Sequence, residues 1–154
     1  MSDSRVSTSV VNHVGLLVAD LERARAFYEQ VLGFSFWFES TVPDEAAAKL
    51  LSLPAPLGVR LVYLALGDFT LELIHFGAEG AEVDRARRGM NQTGLTHLSI
   101  SVESVPAVAA RAQGFGAEVI ESSDLGVALM VRDPDGQLVE LLDPSFRQHL
   151  PPRP

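Results

Sequence analysis

The second half of this chain restarts the sequence pattern of its first half. The segment NHVGLLVADLERARAF, from residue 12, aligns with THLSISVESVPAVAAR, from residue 96, and this alignment places His13 on His97. Near the ends of the halves, TLELI aligns with LVELL, which places Glu72 on Glu140. The chain therefore carries two copies of one structural unit, each with a histidine near its start and a glutamate near its end.

The two copies differ in length at one place. The histidine and the glutamate are 59 residues apart in the first copy and 43 residues apart in the second. An inserted helix and loop near residues 42–58 accounts for the difference.

Hydrophobic periodicity predicts the elements of each copy. In the first, we predict strands at 11–19, 34–40, 59–66 and 69–76, a helix capped by Asp20, and the inserted helix at 44–53. In the second, we predict strands at 94–104, 117–121, 126–132 and 137–142, and a helix at 105–115. The predicted fold is α+β, with two tandem β-α-β-β-β modules. We expect one domain with its first module at about 10–77, a linker at 78–93, a second module at about 94–145 and a tail at 146–154.

Composition excludes several classes of function. The 154 residues carry 12 basic and 20 acidic side chains, a formal net charge of −8, which argues against a nucleic-acid partner. The chain contains neither a glycine-rich phosphate loop nor an apolar run long enough to span a bilayer. It has no cysteine and therefore no disulfide or thiolate ligand. We expect a cytoplasmic protein that acts on a small molecule, with no membrane and no nucleic acid as partner.

The four repeated residues form a pattern that predicts metal binding. Side chains alternate between the two faces of a strand, so His97 shares a face with Ser99 and Ser101, opposite the apolar residues. Glu72 and Glu140 are flanked by apolar strand residues, where an unpaired carboxylate is costly to bury. One divalent cation held by both histidines and both glutamates would offset that cost. The alternative is that the histidines pack in the core and the glutamates lie on exposed edge strands.

His75 does not share this argument. It has the opposite parity to Glu72 on its strand, so we expect it to face the helices.

The repeat and three motifs resemble the vicinal oxygen chelate superfamily. The motifs are HVGLLVADLERARAFYEQVLGF, THLSISVESV and RDPDGQLVELLDP. The superfamily includes glyoxalase I, methylmalonyl-CoA epimerase, extradiol dioxygenases, fosfomycin-resistance enzymes and bleomycin-binding proteins. The resemblance implies a half-open mixed sheet around a metal site, and a homodimer whose partner covers the open sheet edges.

Two details of the resemblance point to different relatives. The ligand order of histidine, glutamate, histidine and glutamate is that of bacterial glyoxalase I, whereas the epimerase usually has glutamine at the position of Glu72. The insertion at 42–58 is similar to that of the epimerase. Both relatives move a proton at a carbon next to a carbonyl, so the resemblance implies a metal-dependent isomerase or lyase. Glu140 or Glu72 would act as the general base.

The metal and two other functions stay open at this point. Nickel, cobalt, zinc or manganese suits four such ligands, and iron would fit an extradiol-type dioxygenase. The other alternative is a binding protein that sequesters an antibiotic.

Several residues are candidates for an apolar pocket wall, although each also fits an ordinary core. They are Phe36, Trp37, Phe38, Tyr63, Phe69 and Met130.

Overall fold

The computed structural model describes residues 9–78 and 90–152. The first module contains strands β1 (Val14–Leu17), β2 (Ser35–Thr41), β3 (Val59–Leu66) and β4 (Phe69–Phe76), with helices α1 (Leu21–Gln30) and α2 (Asp44–Leu51). The second contains strands β5 (His97–Ser101), β6 (Glu118–Val119), β7 (Ala128–Arg132) and β8 (Leu138–Leu142), with helix α3 (Val105–Gly114). Short 3₁₀ helices follow at Glu121–Ser123 and Pro144–His149. None of the helices in these residues is long and apolar enough to cross a membrane.

The two modules form two mixed sheets with the same strand order. The first sheet has the order β1-β4-β3-β2 and the second has the order β5-β8-β7-β6. In each, the first and last strands of the module are parallel, and the other neighbours are antiparallel. The predicted α+β fold of two β-α-β-β-β modules is therefore confirmed.

Local sequence explains where the two module helices begin. The side chain of Asp20 accepts a hydrogen bond of 2.9 Å from the backbone N–H of Arg23, as expected of an N-cap. Ser104 caps α3 in the same way, by accepting from the backbone N–H of Ala107. Gly33 follows α1 with a φ of 79°, a left-handed conformation that suits glycine after a helix.

One hydrophobic core serves both modules. It is formed by the apolar stripes of α1 and α3 together with the helix-facing residues of both sheets. Its largest fully buried side chains are Tyr28, Phe27, Leu64, Leu71, Leu73 and Leu141. The core therefore lies on the same side of each sheet, the side opposite to the paired histidines and glutamates.

A turn of the second module fastens the two modules together. The Pro-Asp-Gly sequence, typical of a tight turn, joins β7 to β8. Asp135 within this turn accepts hydrogen bonds from the backbone N–H of Ala19 at 3.1 Å and from the guanidinium of Arg23 at 2.7 Å. Asp133, at the start of the turn, accepts from the hydroxyl of Tyr28. The relative placement of the modules thus depends on polar contacts as well as on the core.

Some boundaries differ from the sequence-based expectation. β1 begins at Val14, so His13 lies immediately before the strand and not inside it. β6 has two residues where five were predicted, and β2 carries an irregularity between Phe36 and Phe38. Most of the predicted linker, residues 79–89, lies outside the described residues.

Candidate metal centre

The first histidine–glutamate pair lies on the outer face of the first sheet. His13 directly precedes β1, and Glu72 is at the middle of the neighbouring strand β4. Nε2 of His13 is 3.3 Å from Oε2 of Glu72. The neighbours of Glu72 along the strand, Leu71 and Leu73, are fully buried in the core on the other face, as the alternation predicted.

The second pair repeats this arrangement in the second sheet. His97 begins β5, and Glu140 lies on the neighbouring strand β8. Nε2 of His97 is 3.6 Å from Oε2 of Glu140. Val139 and Leu141 point into the core, and so the predicted faces are confirmed here too.

Each histidine is oriented by the residue before it. Nδ1 of His13 donates a hydrogen bond of 2.7 Å to Oδ1 of Asn12, and Nδ1 of His97 is 2.8 Å from the hydroxyl of Thr96. A hydrogen bond at Nδ1 fixes the orientation of the ring and leaves Nε2 for a ligand. Sequence reasoning missed this role, although residues 12 and 96 are aligned by the repeat and both carry a side-chain oxygen.

Glu72 is the more enclosed of the two glutamates. Its Oε1 accepts a hydrogen bond from the hydroxyl of Tyr63, its cross-strand partner on β3. Burial is the main cause, and this hydrogen bond the second, of a rise in the pKa of Tyr63 to about 12. The hydroxyl therefore keeps its proton near neutral pH. On the other side, β1 approaches closely at Gly15, where a Cβ would stand 3.2 Å from Cδ1 of Ile74 and 3.4 Å from Oε2 of Glu72.

Glu140 has a different neighbour. Its Oε2 accepts a hydrogen bond of 2.7 Å from the hydroxyl of Ser99, its partner on β5. The side chain of Glu140 is 28% exposed, against 10% for that of Glu72. The two glutamates therefore occupy equivalent positions in unequal surroundings.

The inserted segment covers part of the face that carries Glu72. Helix α2 buries Ala47 against Leu57 and Val59, in a second apolar cluster that includes Leu61 and Ile74 of the outer face. Asp44, at the start of α2, accepts hydrogen bonds from the backbone N–H groups of residues 57 and 58 at 3.0 and 2.8 Å. The insertion thus forms an apolar wall beside the first pair.

The aromatic candidates divide between the two faces of the first sheet. Phe38 stacks on Tyr63, with ring centroids 4.2 Å apart, and Trp37 contacts both rings edge-on. Met130 is the cross-strand partner of the second glutamate. These four side chains remain candidates for a pocket wall.

Two of the aromatic candidates lie on the helix side of the sheet, so the alternative of ordinary packing holds for them and not the pocket wall. The ring of Phe36 lies under the guanidinium of Arg25 on the helix side. Phe69 packs edge-on against Phe34 of the core. His75 also faces the helix side, as expected, and its Nδ1 lies 3.2 Å from the carbonyl oxygen of Val18.

The structure brings together the members of each pair, but it does not bring the two pairs together. Within residues 9–78 and 90–152, no three histidine, aspartate or glutamate side chains are arranged to hold one metal ion. The shared core explains this separation, because it occupies the helix side of both sheets while the two pairs lie on the opposite faces. Each pair is therefore half of the predicted four-ligand set.

Comparison with known proteins identifies relatives for most of the chain. A family model described as Glyoxalase/Bleomycin resistance protein/Dioxygenase superfamily matches residues 12–128. The chain is 28% identical over 139 residues to the ethylmalonyl-CoA/methylmalonyl-CoA epimerase of Cereibacter sphaeroides, a match that covers 85% of this chain and 95% of that protein. It is 25% identical over 156 residues to the lactoylglutathione lyase of Pseudomonas putida, covering 94% of this chain and 90% of that one.

A solved structure matches the fold. A glyoxalase family protein from Bacillus cereus superposes with a TM-score of 0.73 at 21% sequence identity, over 86% of this chain and 92% of that chain.

Proposed function

Because this chain belongs to the Glyoxalase/Bleomycin resistance protein/Dioxygenase superfamily, we propose that it is a metal-dependent isomerase or lyase acting at a carbon next to a carbonyl. One observation carries the proposal: a histidine Nε2 faces a glutamate carboxylate at 3.3 Å in one module and at 3.6 Å in the other. The relatives named as an epimerase and as a lactoylglutathione lyase support the same class of reaction.

The donor atoms of the two pairs fit a divalent cation. Two imidazole nitrogens and two carboxylates suit nickel, cobalt, zinc or manganese. Both imidazoles already have Nδ1 engaged, and so Nε2 is the nitrogen that each would offer. We assign His13, Glu72, His97 and Glu140 as the ligands. When bound, the cation supplies a Lewis acid that stabilises negative charge developing on the substrate oxygens.

We further propose that two copies of the chain complete each site. His13 and Glu72 of one copy would join His97 and Glu140 of a second copy. The outward position of both pairs supports this arrangement, as does the place of β1 and β5 at the ends of the two sheet orders. Edge strands are commonly covered by a partner, and a two-fold symmetric dimer would contain two identical sites.

Glu140 is the side chain that we assign to proton transfer. Oε2 of Glu140 is held by Ser99, while Oε1 makes no hydrogen bond or ion pair with the described residues. A partly exposed carboxylate with one such oxygen can take a proton from a substrate carbon and return it. Glu72 is less exposed, and contacts engage both of its oxygens.

The experiment measures metal content and proton exchange together. The protein is purified without a His-tag or chelators, its metal is quantified, and deuterium exchange from solvent into the carbon next to the carbonyl is followed. The substrate panel contains thiol hemithioacetals and acyl thioesters, because the two relatives are named for acyl-CoA thioesters and for a glutathione thioester. We expect metal-dependent exchange that Glu140→Gln slows by about 10²–10⁴-fold while metal is retained.

A matched variant controls for the change from glutamate to glutamine. Glu103, which lies exposed after β5, should tolerate Glu103→Gln with no change in exchange. The proposal is overturned if Glu140→Gln and Glu72→Gln both exchange as fast as the parent with metal retained. It is also overturned if metal-loaded protein exchanges no member of the panel.

A further inference from the structure

The two glutamates differ in how firmly the fold holds them, and Glu72 is held on both carboxylate oxygens. The Tyr63 hydroxyl donates to Oε1, and Nε2 of His13 is 3.3 Å from Oε2. The ring of Tyr63 is itself fixed, since it stacks on Phe38 with an interplanar angle of 12° and meets the ring of His13 edge-on at 5.8 Å. Phe38, Tyr63 and Glu72 are successive cross-strand partners on β2, β3 and β4.

Glu140 lacks this support. Its cross-strand partner on the antiparallel side is Met130, which has no hydroxyl to donate. The hydrogen bond that Glu140 accepts comes from the hydroxyl of Ser99, on the parallel side, and it engages only Oε2. In the first module, Gly15 lies at the position equivalent to Ser99, and it has no side chain to donate a hydrogen bond. The repeat has therefore placed the hydroxyl on opposite sides of the two carboxylates.

We propose that Tyr63 is a positioning residue that fixes Glu72 as a stationary ligand, and that Met130 at the equivalent place leaves Glu140 free to move. This inference rests on the proposed function, because it assumes a divalent ion at the pairs. A carboxylate that is oriented before the ion arrives loses less rotational freedom on binding, so its orientation favours affinity. A carboxylate that must also exchange a proton benefits from keeping one oxygen unengaged.

The test compares two substitutions that each remove one hydroxyl from one glutamate. Tyr63→Phe removes the donor to Glu72 and keeps the ring, and Ser99→Ala removes the donor to Glu140. The affinity of each protein for zinc and for nickel is measured by competition with a chromophoric chelator, with no substrate present. We expect Tyr63→Phe to lower the affinity about 10-fold or more, as loss of an outer-shell partner typically does. Ser99→Ala should lower it less than about threefold, because water can replace the hydroxyl at an exposed carboxylate.

A double-mutant cycle separates positioning from a general loss of structure. If Tyr63 acts through Glu72, Tyr63→Phe should add no further loss of affinity in a Glu72→Ala background, yet should retain its full effect in a Glu140→Ala background. The metal-free Tyr63→Phe protein should remain folded under the conditions of the titration, as its unfolding midpoint will show. The inference is overturned if Tyr63→Phe binds metal as tightly as the parent, or if its loss persists in full without Glu72.

Failure of this inference and failure of the catalytic proposal can be told apart. Unchanged metal affinity in Tyr63→Phe, with proton exchange intact in the parent, would overturn the inference alone. Reduced affinity in Tyr63→Phe, with no exchange in the parent, would support the inference and overturn the proposed reaction. Saturating metal should restore most of the exchange rate in Tyr63→Phe but not in Glu140→Gln, and a deficit that persists at saturating metal would contradict a positioning role.

Discussion

The hydroxyl of Tyr28 donates a hydrogen bond of 2.9 Å to Oδ2 of Asp133 and so joins the first helix to a turn of the second module. Both residues are buried, with 0% and 4% of their surface exposed. Oδ1 of Asp133 accepts from the backbone N–H groups of Asp135 and Gln137, which shapes the turn. One carboxylate therefore fixes both the turn and the junction between the modules.

Tyr28→Phe should destabilise the protein because it leaves a buried carboxylate oxygen without its donor. We expect the free energy of unfolding to fall by about 1–3 kcal/mol. Urea denaturation of the metal-free protein measures it. The control is Arg23→Met, which removes the ion pair between Arg23 and Asp135. Because the arginine side chain is 42% exposed, this loss should lower the free energy of unfolding by at most about 1 kcal/mol. Equal losses in the two variants would contradict the assignment of the buried bond as the stronger contact.

The stability contributed by Asp133 should decrease as the pH rises. Burial raises the pKa of Asp133 above the ordinary value of 3.8, despite the hydrogen bonds that favour its charged form. The folded state therefore keeps this proton to a higher pH than the unfolded state does, and its contribution is lost as the pH rises from about 4 through the folded pKa. Unfolding measured in parallel on the parent and on Asp133→Asn should show the parent losing stability relative to the variant over that range. Parallel pH profiles would rule out this effect.

Asp44 should show the opposite dependence. The backbone hydrogen bonds from Gly58 and Leu57 lower the pKa of Asp44 below 3.8, so its contribution is present above that pH and is lost in acid as the pH falls through the folded pKa. We expect Asp44→Asn to remove this acid sensitivity. Asp44→Ala, which removes the acceptor, should speed amide hydrogen exchange at Leu57 and Gly58. Unchanged exchange at both amides would show that Asp44 does not hold this loop.

Much of the fold could be predicted because the repeat and the alternation of side chains are local properties of the sequence. Alternation alone places Glu72 opposite the buried Leu71 and Leu73, and the structure confirms it. Residue type alone did not show which aromatic residues of β2 lie on the same face as Tyr63, because the irregularity between Phe36 and Phe38 interrupts the alternation of side chains.

The site was harder to predict because its parts meet through contacts between distant strands. The bond from Tyr63 to Glu72 depends on the register of β3 against β4, which no local pattern specifies. Alternation also shows which face carries each pair but not how the modules pack. Both sheets pack their helix-facing sides into one shared core, so the faces that carry the pairs point away from that core. The two pairs therefore remain apart within the described part of one chain.

Mixing two inactive variants should restore activity if each site takes one pair from each of two copies. His13→Ala removes a ligand of the first pair, and His97→Ala removes a ligand of the second, so each variant alone has no complete site. After unfolding and refolding together in equal amounts, half of the dimers would contain both variants, and about a quarter of all sites would hold four intact ligands. Metal bound per chain and the rate of deuterium exchange measure the recovery.

A mixture of His13→Ala with Glu72→Ala provides the matched control for this recovery. Both substitutions damage the first pair, so every site in that mixture lacks a ligand, whichever copies combine. A site built within one chain would give no recovery in either mixture, because no chain carries both pairs intact. Recovery of about a quarter in the first mixture and none in the second would therefore establish that the outward faces of two copies meet at each ion. Absence of recovery in both, with dimers present, would overturn the proposal that two copies share each site.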